Sequence, residues 1–123
     1  MSTACCSSTL ALPVKHLATL TTVFAALADP IRLRILALLK TGEICVCHIH
    51  GSLDVPQPTA SRHLAYLRRA RLVDARRDGR WMHYRLADHA DPVVAAVVAS
   101  ALHALTHTEA SARDAKRLQK VIA

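Results

Sequence analysis

From Val14 the apolar residues Leu17, Leu20, Phe24 and Leu27 recur at steps of three and four, which predicts a helix with that stripe on one face. Asp29-Pro30 then restarts the pattern, a carboxylate suited to an N-cap followed by proline at the first helical position. The second helix should run to about Lys40 with Ile31, Ile35, Leu38 and Leu39 inward, and Gly42 should end it. A short helix is expected over roughly Ile44 to Leu53, carrying Cys45-Val46-Cys47-His48-Ile49-His50. Asp54-Val55-Pro56 reads as a tight turn, and Gln57-Pro58 opens a helix to about Arg71. In that helix Ala60, Leu64 and Leu67 form a buried stripe, with Thr59, Arg62, His63 and Tyr66 on a face about 110° away. After Leu72 the period falls to two. Val73 to Arg77 and Arg80 to Leu86 flank Asp78-Gly79, a dipeptide that favours a type I′ hairpin. A Val/Ala/Leu helix from about Pro92 to Thr106 and an amphipathic helix near Ser111 to Val121 complete the chain.

Residues 1–12 are small, uncharged and rich in Ser and Thr, and read as a flexible tail; 13–123 read as one domain with dimerisation helices at both ends. Trp81, Phe24, Tyr66 and Tyr84 are the whole aromatic inventory, so the core must be aliphatic, which points to helices packed on helices. A small-residue core of this size favours burying further surface by dimerisation. The expected class is therefore mainly α with a β-hairpin wing: a dimeric winged helix-turn-helix of about five to six helices. The longest apolar run, Val93 to Ala99, is too short to span a bilayer, so no membrane partner is expected. No basic segment leads into an apolar one at the start, so no secretory signal is expected and the location should be cytoplasmic.

The formal charge is +7 and is concentrated. Between Gln57 and Arg85 lie eight arginines against the two acids Asp74 and Asp78, leaving the remainder almost neutral. Such a concentration is the footprint of a phosphate-binding face. Helix, three-residue turn, helix and an arginine-tipped hairpin together form a winged helix-turn-helix layout, whose second helix fits the major groove of DNA. Gln57, Thr59, Ser61, Arg62 and His63 would face the bases and phosphates there, with Arg62 suited to guanine and Gln57 to adenine. Arg76, Arg77 and Arg80 would hold the neighbouring backbone or minor groove.

Cys5, Cys6, Cys45 and Cys47 are the four thiols. In a reducing compartment they are candidates for metal or redox chemistry rather than for a disulfide framework. Thiolates are soft donors that select soft ions, and a helix N-terminus should lower their pKa. Residues two apart on a regular helix point about 200° apart, so gripping one ion with Cys45 and Cys47 should distort the start of the short helix. Neither a Cys-x-x-Cys motif in a βαβ setting nor an isolated nucleophile is present, so no enzyme is expected. His103 and His107 read as solvated or interface histidines, and His48 and His50 as polar groups facing water.

The run Gln57-Pro58-Thr59-Ala60-Ser61-Arg62-His63-Leu64, with Leu67, Leu72 and Gly79-Arg80-Trp81-Met82-His83-Tyr84-Arg85-Leu86, resembles the ArsR/SmtB metalloregulator family. Ala28-Asp29-Pro30-Ile31-Arg32-Leu33 strengthens the likeness, and Glu43-Ile44-Cys45-Val46-Cys47 is similar to the family's ELCVCD inducer-site signature. The resemblance implies a homodimeric repressor that leaves an inverted-repeat operator when a thiophilic ion binds, with the first helix and the Pro92–Thr106 helix as dimer interface. Arsenite-responsive members carry a third cysteine three residues after the second, where this chain has His50. The resemblance therefore points to Cys5 and Cys6 as the additional ligands beside Cys45 and Cys47. Three sulfurs suit As(III) or Sb(III); four suit Cd(II), Pb(II) or Zn(II). A thiol-redox response is the remaining alternative.

Overall fold

The computed structural model describes residues 16–122. The expected tail and its Cys5 and Cys6 lie outside the described residues. Helix α1 (His16–Leu27) leads through Ala28 and Asp29 into α2 (Pro30–Leu38). Asp29 caps α2 as the proline signal predicts, its carboxylate accepting from the amides of Ile31 at 2.8 Å and Arg32 at 3.1 Å. A 3-10 turn (Leu39–Thr41) closes α2. There follow β1 (Ile44–Cys45), α3 (Val46–Leu53), α4 (Gln57–Arg69), β2 (Val73–Asp78), β3 (Trp81–Leu86), α5 (Pro92–Leu105) and α6 (Glu109–Ile122).

The core is aliphatic, as composition requires: Ile35, Leu36 and Leu39 meet Ile49, Leu53, Leu64, Leu67 and Leu72, all nearly inaccessible to solvent. Helix α6 packs on α3 and α2, and its Asp114 is the anchor. This carboxylate is 1% exposed and accepts two bonds from Arg34 of α2, at 2.8 and 2.9 Å. The same guanidinium donates to the carbonyl of Leu53, at the end of α3, at 2.8 Å. The hydrogen bond and charge of Asp114 hold Arg34's pKa above its ordinary value. One ion pair thus ties three helices together.

Two expectations are corrected, and a third element is placed. First, Ile44 and Cys45 do not open the short helix; they are extended and pair antiparallel with β3, Ile44 opposite Tyr84 and Cys45 opposite His83. The hairpin is consequently a three-stranded sheet in the order β1-β3-β2. Second, Asp78 pairs with Trp81, so the turn residues are Gly79 and Arg80. Gly79 has φ +63° while Arg80 stays out of the left-handed region, the pattern of a type II′ turn rather than I′. Third, α1 turns Val23 and Ala26 into the core, whereas Leu17 is 59% and Phe24 55% exposed in the single chain. Leu20 and Leu27 are half-buried, Leu27 against the core, so the stripe is divided between the core and the outer surface.

Candidate nucleic-acid interface and thiol pair

Helices α3 and α4 are joined by Asp54-Val55-Pro56, the turn of the helix-turn-helix. Asp54 takes the left-handed conformation at φ 57°. Its amide donates to the Gly51 carbonyl at 3.3 Å and that of Val55 to His50 at 3.1 Å, a Schellman closure. Helix α4 then starts with Pro58 inside its first turn and no side-chain cap, and the Thr59 and Ala60 amides both donate to the Pro56 carbonyl at 3.1 Å. Gln57 and Arg62 are exposed, Thr59 and Ser61 half-buried. These four share the outer, leading part of the helix, while Ala60, Leu64 and Leu67 are buried beneath.

His63 and Tyr66 were expected on the same outer face, but they turn toward α2. The His63 ring nitrogen Nδ1 lies 3.3 Å from Arg32 Nη1 and 3.8 Å from Asp29 Oδ1, and the side chain is only 13% exposed. Arg32 lies over the Tyr66 ring at 4.0 Å. Burial raises the Asp29 pKa, but the amides of Arg32 and Ile31 and the charges of His63 and Arg32 outweigh it and hold the carboxyl below its usual range. His63 is therefore a strut between α4 and the start of α2.

At the wing, the three arginines also separate. Arg76 is held by Glu43, with bonds of 2.6, 3.2 and 3.2 Å. The hydrogen bond to Arg76 lowers the Glu43 pKa, and the same interaction raises that of Arg76. Arg77 points to the other sheet face, because successive strand residues alternate, and Arg80 occupies the turn. Both are exposed, and neither enters an ion pair among the described residues. A charged groove of about 360 Å³ between the sheet and the end of α4 is lined by Glu43, Arg68, Asp74, Arg76 and Arg85. Glu43 escaped sequence reading: its partner is 33 residues away, and no local pattern reports such a pair.

Cys45 ends β1 with φ −68° and ψ 144° and is also the N-cap residue of α3. That break in the helix places the two thiols on the same side, their Sγ atoms 2.9 Å apart. The expected 200° divergence does not arise, because only Cys47 lies within the helix. Cys45 is buried and Cys47 half-buried. Desolvation, followed by the interaction with Cys45, pushes the Cys47 thiol pKa up; the amides of His48 and Cys47 oppose this without reversing it. The lowering expected from a helix N-terminus is thus overruled by burial. His50 sits where a third thiol would stand, and its Nδ1 lies 3.3 Å from the Val55 carbonyl. No cluster of three metal-ligating side chains occurs among the described residues. His103 and His107 stack edge to face at 5.2 Å on an exposed part of α5 and the turn after it.

Helix α5 buries Val94 and Val98 and leaves Val93 exposed. With α1 it frames an open apolar groove of about 470 Å³ lined by Phe24, Leu27, Ala96, Val97, Ser100 and Ala101. Among the described residues no single helix is long and apolar enough to cross a membrane.

Residues 29–75 match the family model described as "Bacterial regulatory protein, arsR family". The arsenical resistance operon repressor of Escherichia coli is 50% identical over 68 residues, 54% of this chain and 58% of that protein. The chain spans about half the length of several curated relatives it matches. A homodimeric winged helix-turn-helix DNA-binding domain from Mycobacterium bovis, described as a possible ArsR-family regulator, superposes with a TM-score of 0.62. It is 36% identical, over 78% of this chain and 87% of that one. The AntR antimony-specific transcriptional repressor superposes with a TM-score of 0.57 at 30% identity, over 71% and 77%. With its helix-turn-helix, its three-stranded wing and these likenesses, the chain belongs to the ArsR family of bacterial regulatory proteins.

Proposed function

We propose that the chain is a homodimeric transcriptional repressor that binds an inverted-repeat operator and leaves it when As(III) or Sb(III) is captured by its thiols. The observation that carries this reading is the Cys45–Cys47 pair, two sulfurs already 2.9 Å apart at the entrance to the helix-turn-helix. An arsenical-resistance repressor and an antimony-specific one among the similar proteins support the choice of ion. Gln57, Thr59, Ser61 and Arg62 read the major groove; Arg77 and Arg80 hold the flanking backbone. His63 and Arg76 act one step back, bracing α4 and the sheet. The apolar α1–α5 groove is filled by the same groove of a second copy. The domain division is a core from residue 13 onward behind a ligand-bearing tail, 1–12.

The site is completed by Cys5, Cys6 or both, in line with the three sulfurs that As(III) takes. Deleting residues 1–8 leaves operator affinity unchanged and abolishes release by arsenite. A truncated protein that still releases DNA at the same arsenite concentration returns the site to Cys45 and Cys47 alone. X-ray absorption on the loaded full chain counts the sulfurs, three for As(III) and four for a Cd(II), Pb(II) or Zn(II) sensor of the same design.

The 2.9 Å separation also favours a second reading, redox control. Two thiols and one hydrogen peroxide would give a Cys45–Cys47 disulfide and two waters. Release by peroxide that a dithiol reductant reverses, with no response to arsenite, selects it.

A further inference from the structure

We infer that ion capture at the thiol pair reaches the DNA through the wing, with β1 as the connecting part, rather than through the reading helix. The inference rests on the reading above, in which the ion binds Cys45 and Cys47.

Cys45 is opposite His83 on β3, and His83 is opposite Arg76 on β2, so the three form one row across the sheet. Paired positions point to the same face. Two residues before Cys45, Glu43 reaches over β3 and grips Arg76, with a shortest bond of 2.6 Å. The strand carrying the thiol is therefore fastened to the hairpin twice, by the ladder and by this carboxylate.

The sulfurs must move to take an ion. Two ion–sulfur bonds of about 2.3 Å hold their sulfurs roughly 3.3 Å apart at the near-right angle of pyramidal As(III) and roughly 3.8 Å apart at a tetrahedral angle, against 2.9 Å here. Cys45 is only 7% exposed and packed among core residues, so side-chain rotation is restricted and backbone must give. The far end of α3 is the stiffer one. Arg34 holds the Leu53 carbonyl while paired to the buried Asp114, and Leu53 leads directly into the turn before α4. The near end has no side-chain cap and continues into a two-residue strand. Displacement therefore falls on β1 and, through its pairing with β3, on the hairpin that carries Arg77 and Arg80.

The test measures operator affinity of the full chain with and without saturating sodium arsenite, and takes the ratio. Linkage between two sites commonly amounts to about 5- to 150-fold. In the Arg77→Ala/Arg80→Ala protein the ratio falls toward one, because the DNA contacts that the ion disturbs have already been removed. In Arg62→Ala affinity is weaker but the ratio is kept. A wing variant with the full ratio, or an Arg62→Ala protein without one, overturns the inference while leaving the arsenite-responsive reading intact. Arsenite that leaves wild-type affinity unchanged overturns both. Trp81, the only tryptophan, closes the hairpin and gives a DNA-free readout. Its emission shifts on arsenite addition, and Glu43→Gln reduces that shift; an emission unmoved by bound arsenite counts against the wing route.

Discussion

Helices α4 and α5 are nearly the same length, 13 and 14 residues, and each has proline in its first turn. They differ in what they leave uncovered. Helix α4 buries Ala60, Leu64 and Leu67 and turns Arg62, Arg68 and Arg69 outward. Helix α5 buries Val94 and Val98, yet its other side is again Val93, Ala96 and Ala99. A helix with one polar face is finished by water or phosphate. One that is apolar around most of its circumference is finished only by another apolar surface. The two free faces therefore call for different partners, DNA for α4 and a second copy for α5, and each can be removed without touching the other.

The largest effect is expected at α5. Ala96 is exposed in the single chain and lines the apolar groove, so Ala96→Glu leaves the subunit core alone. In the dimer it places an unpaired carboxylate in an apolar interface, at a cost of about 3–5 kcal/mol. Sedimentation should show a monomer with unchanged helical circular dichroism, and operator binding should fall because the paired half-site is no longer engaged. A variant that remains a dimer at micromolar concentration refutes the assignment of this face.

At α4 the effect is smaller and confined to DNA. Arg62→Ala should cost about 1–3 kcal/mol in operator binding and relax base preference while the dimer persists. Arg77→Ala or Arg80→Ala should weaken specific and random DNA alike, and each phosphate no longer neutralised should lower the salt slope by about 0.9. Fluorescence anisotropy across a salt series separates the two behaviours. Arg76→Ala, its guanidinium already engaged by Glu43, should change that slope less than either.

The polar face of α4 and the hairpin were legible because each rests on local pattern: Pro58 near a helix start, three-and-four spacing of Ala60, Leu64 and Leu67, and period two after Leu72. The α1 stripe was legible as apolar, but periodicity does not divide it between core and outer surface: Leu27 packs on the core while Leu17 and Phe24 stay exposed in the single chain. Strand β1 was missed because Ile44-Cys45 is too short for a period, and a partner strand 38 or 40 residues away decides its conformation. The same long range hid Asp114. In sequence it is one charge on a charged helix, and only the fold brings Arg34 to it.

The thiols show the same limit, and pH sharpens it. Cys47 has its pKa raised by burial and by Cys45, so a divalent cation captured there must displace the thiol proton, whereas As(OH)3 takes that proton away as water. Apparent arsenite affinity should therefore stay nearly flat with pH below the thiol range, while Cd(II) affinity should climb by up to about tenfold per pH unit for each proton released. For folding the sign is opposite. The unfolded chain ionises Cys47 first, so its contribution to stability is fully present below the ordinary thiol pKa and is lost as pH rises through the raised one. Isothermal titrations and urea midpoints at a series of pH values check both slopes, and Cys47→Ser should remove the stability trend.

The smallest effect concerns how the two helices end. Helix α5 closes with Thr106 in the ordinary helical region at φ −64°. Helix α4 closes with Arg71 in the left-handed region at φ 64°, the Arg71 amide donating to Arg68 at 3.0 Å and that of Leu72 to Leu67 at 2.9 Å. This closure favours glycine, because a Cβ in that conformation crowds the following carbonyl at a cost of about 1 kcal/mol. Arg71 is exposed and has no ion-pair partner among the described residues, so its side chain offsets little of that cost. Arg71→Gly should accordingly raise stability by somewhat less than 1 kcal/mol, seen as a melting temperature a few degrees higher. At about 1.5 Å per residue, α4 sets this position roughly 20 Å behind Gln57, out of reach of the bases that the leading turn meets. Operator affinity and its salt slope should then stay at the wild-type values. A melting temperature that falls would show that the arginine side chain supports the turn. A slope reduced by one phosphate would show that the left-handed arginine is retained for DNA, extending the polar duty of α4 to its last turn.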